Sequence, residues 1–211
     1  MRADLVFNGF SSDPSADLAH ALRSVDKALL LAPNDLGALR EKSRVLRAQG
    51  DLDGAEVVVR KLIALKPVVS YRHNDLGWIL LAQGRPKEAL DSLITAKRLA
   101  ATDTDFIHQL LDANLAIALV ANDRFIEAIP QARLAIAGFT SENGRDVEIP
   151  WLALIAAESL RGQEAQARAD LEKFLAVPRT WRTMAEVGRF PLFAANTQLL
   201  EGLRRAGMPA D

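Results

Sequence analysis

The sequence predicts an all-α solenoid, in which about five pairs of helices stack on one another and a further helical segment covers the C-terminal end. Two observations lead to this fold class. Features of the sequence recur after 34 residues, since this distance separates Gly50 from Gly84 and also separates the alanines at 55 and 89. Strand-like patterns are almost absent, and the stretch that has one, Glu56-Val57-Val58-Val59, lies inside a helical apolar period.

The composition is that of an ordinary soluble domain and excludes several kinds of chemistry. Of the 211 residues, 49% are apolar and 25% are charged, which provides ample material for a core. The formal net charge of -1 gives no global field that would attract nucleic acid or an anionic membrane. The lack of cysteine excludes disulfides, thiolate catalysis and cysteine–zinc sites. Because the sequence shows neither a signal-peptide core nor a bilayer-spanning apolar stretch, we expect a cytoplasmic protein that contacts no membrane and no nucleic acid directly.

The second and third repeats are the most regular part of the chain. Each has two helices joined by a short polar turn, and an early alanine in the second helix permits close approach of its neighbour. Pro67 ends the second repeat because a proline blocks helix continuation. The positions expected to be buried are Leu39, Leu46, Ala55, Val59 and Leu62 in the second repeat and His73, Leu76, Gly77, Leu80, Ala89, Leu93 and Ala96 in the third.

This pattern resembles the tetratricopeptide repeat (TPR). The resemblance rests on a small residue in the first helix (Gly77), an alanine early in the second (Ala55 and Ala89) and a terminal proline (Pro33 and Pro67). It implies a right-handed superhelix that binds proteins or peptides. It divides the chain into repeats over residues 3–33, 36–67, 70–101, 104–138 and 148–178, followed by a cap over residues 180–207.

The outer repeats depart from the regular period. The first helix of the first repeat is expected at Ala3–Phe10. The alanines at 89, 128 and 167 are 39 residues apart rather than 34, so the fourth and fifth repeats each contain five extra residues. We expect these residues at Ala101–Asp105 and in a loop over Gly138–Glu148, which is rich in turn-forming residues. Pro150 is expected at the start of the next helix, directly before Trp151.

Two further helices are expected beyond Pro178, at Trp181–Val187 and Leu192–Ala206, because a solenoid needs a terminal unit over its last apolar face. The closing stretch Leu199–Pro209 and the opening stretch Asp4–Gly9 resemble the ends of TPR modules that follow class III adenylate cyclase or winged-helix DNA-binding domains in bacterial signalling proteins. This resemblance implies that the chain is the regulatory part of a larger bacterial signalling protein.

The sequence contains no recognisable catalytic or cofactor motif. The three histidines, His20, His73 and His108, lie in different repeats without metal-ligand spacing, so we expect structural roles for them. Asp51 and Asp53 resemble the start of a calcium loop, but the oxygen ligands that should follow are missing, and both are interpreted as turn residues. Glycine-rich phosphate loops and serine–histidine–carboxylate groups are absent. The sequence therefore predicts a protein that is not an enzyme and holds no metal or other cofactor.

One group of residues indicates a binding surface. Arg40, Arg44 and Arg47 are spaced so that three guanidinium groups share one helical face. In the repeat register this face lines the concave groove, to which the next repeat adds Tyr71, Asn74 and Trp78. Guanidinium groups bind carboxylates and phosphates, and aromatic side chains are enriched where interfaces concentrate binding energy. The sequence therefore predicts that these six residues bind a protein or peptide segment that is acidic or bears phosphate.

A structural interpretation of the same residues stays open. The arginines could pair with acids of adjacent helices, for which Asp4, Glu41 and Asp75 are candidates, and such surface pairs contribute little stability. Trp78 could fill the space between helices.

The other half of the predicted groove is apolar. The residues on this face are Leu110, Ala113, Ile117 and Val120 in the fourth repeat and Ile149, Leu152 and Ala156 in the fifth. An apolar face of this size requires a cover. The superhelix could close on itself, or a helix or a second chain could pack there, which makes homodimerisation a hypothesis. The alternative function is therefore a self-associating structural scaffold with no separate peptide ligand.

Overall fold

The computed structural model describes residues 13–102, 105–139 and 145–211. All regular structure in these ranges is helical, which confirms the all-α prediction. The helix expected at Ala3–Phe10 lies outside the described residues. The internal contacts divide the chain into two compact units, Met1–Arg72 and His73–Asp211.

Within residues 13–72, the described part of the first unit, three helices are complete, and each begins after an aspartate. The helices are α1 (Pro14–Leu31), α2 (Leu36–Ala48) and α3 (Leu52–Leu65), and the unit also includes the first residues of α4 (Ser70–Ala82). The carboxylates accept hydrogen bonds from backbone N–H groups of the first turns, Asp13 from Ala16 at 3.0 Å, Asp35 from Ala38 at 2.7 Å and Asp51 from Gly54 at 2.9 Å. Each such cap contributes about 1 kcal/mol of stability.

The core of the first unit lies between these helices, with α2 against both α1 and α3. All five residues that the second repeat was predicted to bury are buried, which confirms the helical register of that repeat. Val45 of α2 forms a small apolar cluster with Leu18 and Ala21 of α1.

The second unit is also built from helix pairs. It contains the remainder of α4, α5 (Pro86–Leu99), a short 3₁₀ turn (Ala100–Thr102), α6 (Asp105–Ala121), α7 (Phe125–Gly138), α8 (Arg145–Leu160) and α9 (Glu164–Leu175). Helix α6 packs against α5 and α7, and α8 packs against α7 and α9. Of the residues that the third repeat was predicted to bury, His73 is only half-buried and the others are buried.

Helix α8 corrects two predictions of the sequence. It begins at Arg145, so Pro150 lies inside the helix rather than at its start. The helix also includes residues 145–148, which were assigned to the loop over Gly138–Glu148. A proline this close to the N-terminal end removes only one backbone hydrogen bond from the helix, and the apolar residues that follow it keep the helix buried.

The C-terminal region forms three short helices instead of the two predicted. They are α10 (Met184–Arg189), α11 (Pro191–Ala194) and α12 (Thr197–Ala206). Helix α10 starts after Thr183, because Thr183 and Glu186 form a reciprocal capping box. The predicted second helix is interrupted because Asn196 caps α12, accepting a hydrogen bond from the Leu199 N–H at 3.0 Å.

The turn inside each complete repeat uses a left-handed residue followed, five positions later, by a buried alanine. Three of these turns have glycine, at Gly50, Gly84 and Gly162, with φ angles of 80°, 72° and 78°. The fourth repeat instead has Asp123 at a φ of 59°. The alanines at 55, 89, 128 and 167 are all 0% exposed. The small residue therefore sits where the two helices of a repeat approach each other, as the sequence predicts.

Candidate partner-binding surface

The arginine row occupies one side of α2 in the first unit. Helix α2 buries Leu39, Val45 and Leu46 on sides of the helix next to and opposite the row. Arg40 is exposed, whereas Arg44 and Arg47 are half-buried. The row thus presents guanidinium groups along about two turns of a helix whose remaining surface packs on α1 and α3.

Part of this positive charge is already compensated within α2. A guanidinium nitrogen of Arg44 lies 3.0 Å from a carboxylate oxygen of Glu41, one of the acids proposed as a partner. Arg47 also contacts another group of the protein. A partly exposed pair three residues apart on a helix contributes only about 0.2–0.5 kcal/mol, so a stronger anionic ligand can compete for the guanidinium.

Tyr71 stands beside a buried arginine for which the sequence pattern predicts no role. Arg72 is 3% exposed, and its guanidinium donates to the carbonyl oxygens of Leu62 at 2.6 Å and Lys66 at 3.2 Å. These carbonyls form the C-terminal end of α3, where the helix dipole favours a positive charge. The guanidinium carbon lies 5.9 Å from the ring centroid of Tyr71. Arg72 therefore fixes the start of α4, which carries the half-buried Tyr71.

Asn74 is not on an open surface. It belongs to the second unit, is 6% exposed, and its side-chain oxygen accepts a hydrogen bond from the Asn114 amide at 2.9 Å. Asn114 is itself 2% exposed. The pair ties α4 to α6 through a buried polar contact, and this gives Asn74 a structural role in the second unit.

Trp78 contacts the chain's own C-terminal region. Its ring meets the ring of Phe190 edge-on, with centroids 6.2 Å apart and an interplanar angle of 78°. Phe190 in turn lies 4.9 Å from Trp181 and 5.1 Å from Phe193. Trp78 therefore anchors residues 179–208, which we call the C-terminal segment.

The C-terminal segment covers the apolar face that the sequence placed on α6 and α8. We call this surface the α6–α8 face and define it by Ala113, Ile117, Val120, Leu152 and Ala156, each 0% exposed. Helix α12 packs on α8 and also reaches α6. Of the possible covers for this face, the structure shows a helix of the same chain. The argument for dimerisation through an open apolar half therefore loses its premise.

A buried carboxylate holds the beginning of the C-terminal segment. Glu148 in the first turn of α8 is 2% exposed. Its two oxygens accept hydrogen bonds from the backbone N–H of Thr180 at 2.9 Å, and one of them also accepts from the N–H of Trp181 at 3.1 Å. Hydrogen bonds to an ionised carboxylate are stronger than neutral ones. The sequence offers one weak signal for this role, an acid placed directly before the apolar run of α8.

A second buried acid, Glu158, joins α7, α8 and α9. The Glu158 carboxyl is 0% exposed and accepts a hydrogen bond from Arg133 at 2.7 Å. Burial raises the pKa of Glu158, and the hydrogen bond from Arg133 only partly opposes this. Burial would also raise the pKa of the neighbouring Asp170, but hydrogen bonds from Lys173 and Gln166 outweigh it, so that pKa is lowered. These charged side chains lie between α7, α8 and α9, and their contacts connect the three helices.

Within the described ranges, no group of three or more histidine, aspartate or glutamate side chains could hold a metal ion. His20 is exposed, and His73 and His108 are half-buried in separate helices. Among the helices that the structure describes, none is long and apolar enough to cross a bilayer.

Comparison with known proteins identifies the fold. No family model matches the chain, and no curated protein is similar to it in sequence. Its structure is similar to that of PilW, a type IV pilus biogenesis factor, with a TM-score of 0.68 and 18% identity over 97% of this chain and 87% of PilW. A tetratricopeptide repeat protein from Parabacteroides merdae matches with a TM-score of 0.63 and 15% identity, over 100% of this chain and 77% of its own.

A third similar structure is that of YrrB, described as a TPR protein with an unusual peptide-binding site. It matches with a TM-score of 0.59 and 16% identity, over 88% of this chain and 92% of YrrB. These matches show that the fold is a TPR-like solenoid of helix pairs, as the sequence predicts.

Proposed function

We propose that this chain is a non-enzymatic protein-interaction module whose first unit binds a peptide or partner segment that is acidic or bears phosphate. The observation that carries the proposal is the row of Arg40, Arg44 and Arg47 along one side of α2, backed by a buried opposite side. We assign Tyr71 to the same site as an aromatic contact. The internal contacts of Asn74 and Trp78 lead us to leave these two residues out of the ligand site.

Two further considerations support a binding role. The fold belongs to a class of architectures that present surfaces built from successive repeats. YrrB, which has this fold, is described as having a peptide-binding site. We further propose that the module regulates a larger bacterial signalling protein in the cytoplasm, on the resemblance of its two ends to such modules.

The arginine row is tested with short fluorescent peptides of equal length, one rich in glutamate, one phosphorylated and one rich in lysine. We expect anisotropy to show binding of the two anionic peptides and to weaken with added salt, because the attraction is between charges. Arg40→Glu, Arg44→Glu, Arg47→Glu should reduce the affinity at least about tenfold, equivalent to about 1.4 kcal/mol, because three attractions to the anionic peptide become repulsions.

A matched control carries the same charge change elsewhere on the first unit. Arg23, Lys27 and Lys66 are all exposed and lie outside α2. The variant Arg23→Glu, Lys27→Glu, Lys66→Glu should retain most of the affinity if the site is specific. Equal affinity of the arginine-row variant and the unchanged chain, with helicity preserved in both, would refute the proposal.

The scaffold alternative would have to self-associate through a surface other than the α6–α8 face, because the chain's own C-terminal segment occupies that face. Leu30 and Leu31, which are 82% and 90% exposed, offer such an apolar surface on the first unit. A module whose apolar face is filled from within needs no separate peptide there. If the chain is such a scaffold, it should self-associate in solution without any added ligand.

A further inference from the structure

We propose that the α6–α8 face is a helix-binding groove, and that the C-terminal segment occupies it as a built-in ligand that a segment of the same chemistry can displace. The inference concerns the second unit and does not depend on the arginine row of the first. It assigns a second binding surface to the chain, together with the pattern that a ligand needs.

The C-terminal segment owes its structure to the face on which it lies. Its three helices have six, four and ten residues. Isolated helices shorter than about 12–15 residues are marginal in water. The connection to the rest of the unit, residues 176–183, contains no helix. A segment built in this way is expected to open as one local unit while the helices beneath it stay folded.

The first recognition element is the Glu148 carboxylate, which binds backbone N–H groups. Because these hydrogen bonds come from the main chain of residues 180 and 181, where the chain bends, the carboxylate accepts any stretch whose two successive N–H groups point to the same side. A buried carboxylate with such partners is a receptor for the main chain of a ligand.

The second element is the crossing of α12 over α8. A Cβ atom placed on Gly202 would lie 2.6 Å from the carbonyl oxygen and 2.7 Å from the Cα of Ala156. Only glycine fits at such a distance, because the atoms it would meet belong to the backbone and cannot rotate away. The groove therefore selects a helix with glycine at the crossing point.

The third element is aromatic and lies in the middle of the segment, between the other two. Phe190 is half-buried between Trp78 and Trp181, while Phe193 is 0% exposed. Asn196 follows and donates its side-chain amide to the carbonyl oxygen of Ile117 on α6 at 3.4 Å. The ligand pattern is thus a bend that presents two successive N–H groups, an aromatic pair, an asparagine cap and a short helix with a central glycine.

The test measures exchange of the C-terminal segment in the full-length chain. The probe is a dye-labelled synthetic peptide with the sequence of residues 176–211. In the unchanged chain the tethered segment competes with it at an effective concentration in the millimolar range, so little probe binds. Gly202→Leu in the chain drives a side chain against Ala156 and weakens the tethered competitor. We expect this variant to bind the probe at least about tenfold more tightly than the unchanged chain.

Matched controls separate groove binding from general adhesion. Gly188 lies in the same segment, but a Cβ there would meet nothing within 4 Å, so Gly188→Leu should bind the probe as weakly as the unchanged chain does. A probe that itself carries Gly202→Leu should not bind to any of the chains. A folded Gly202→Leu chain that binds neither probe, or binds both equally, overturns the proposal.

Hydrogen exchange on the unchanged chain gives an independent readout if Gly202→Leu fails to fold. The amides of α10 and α12 should exchange through an opening that leaves α6 and α8 protected. Exchange of all four helices in a single global event would overturn the proposal. Phe190→Ala, which removes the half-buried aromatic anchor, then replaces Gly202→Leu in the probe experiment. This variant should also bind the probe more tightly than the unchanged chain does.

Discussion

Glu158 is a carboxyl group held in the interior of the second unit. It is 0% exposed, and burial raises its pKa above the ordinary value of 4.5. The groups around it are Arg133 from α7 and Asp170 and Lys173 from α9. The folded protein therefore binds the Glu158 proton more tightly than the unfolded chain does.

This residue makes the stability of the second unit depend on pH. Because the pKa of Glu158 is raised in the folded state, the contribution of the protonated carboxyl is fully present below pH 4.5 and declines as the pH rises through the folded pKa. Between the two pKa values the free energy of unfolding falls by about 1.4 kcal/mol per pH unit. Asp170 has a lowered pKa, so its contribution is lost only as the pH falls below its ordinary value of 3.8.

We expect Glu158→Gln to flatten the decline in stability above pH 4.5, measured by urea unfolding at a series of pH values, because the amide has no proton to lose. Glu172→Gln, at an exposed position of α9, should leave the decline intact. Equal slopes in both variants would contradict the assignment.

Individual residues were predictable where their role repeats along the chain. The alanines at 55, 89, 128 and 167 follow their turns at a fixed distance, and a single sequence reveals this. Glu148 escaped prediction because the N–H groups that it binds are 32 and 33 residues away and show nothing in their side chains. The repeat register places Asn74 on the concave groove, whereas Asn114, 40 residues later, pairs with it in the interior.

Helices α4 and α5 form a pair whose spacing depends on one small residue. A Cβ on Gly77 would lie 2.5 Å from Cγ of Leu93, which is 1% exposed. The bulky leucine fits only because the facing position has no side chain. The pair is therefore closer at this point than two ordinary side chains would allow.

Gly77→Ala should lower the free energy of unfolding by about 1–3 kcal/mol, because the added methyl group overpacks the contact with Leu93. Combining it with Leu93→Ala should cost less than the sum of the two single changes, since the alanine leaves room for the methyl group. Gly188→Ala, where a Cβ meets nothing, serves as the control for helix propensity in urea unfolding measurements. Strict additivity of the two changes would show that the contact does not limit the approach of the helices.

Helix bounds were predictable where the apolar spacing is unbroken, and less so where a capping side chain determines where a helix begins. The break before α12 depends on Asn196. Its side chain caps the N-terminus of α12, and this cap is favoured over continuing α11 through the same residues. The start of α8 was misplaced because Pro150 is usually a first-turn residue, while here the helix extends one turn further.

For the whole molecule, the state of association follows from what covers the apolar faces. The residues of the α6–α8 face are buried within a single chain, in which the C-terminal segment packs on both helices, so we expect light scattering to give the mass of one chain, 23.0 kDa, over a wide range of concentration. A dimer would contradict this expectation and support the scaffold alternative. Leu30 and Leu31 of the first unit, 82% and 90% exposed, would then be the first residues to replace with lysine.

The fold class was predictable from the sequence because it is encoded by a period, and a period survives when individual positions vary. The arrangement of the C-terminal segment was not, because it depends on contacts such as that of Gly202 with Ala156, which have no counterpart elsewhere in the repeat pattern. The binding role of the arginine row stays a prediction until a ligand is measured.

The hydrogen bonds between Glu148 and the backbone determine which amino acids position 180 can accept. The carboxylate accepts hydrogen bonds from the backbone N–H of Thr180, and this residue is otherwise exposed. Every amino acid except proline offers the same N–H group, so the attachment is indifferent to size, charge and polarity there. Proline alone lacks that hydrogen, so Thr180→Pro is the single substitution at this position that would leave Glu148 with only the hydrogen bond from the Trp181 N–H.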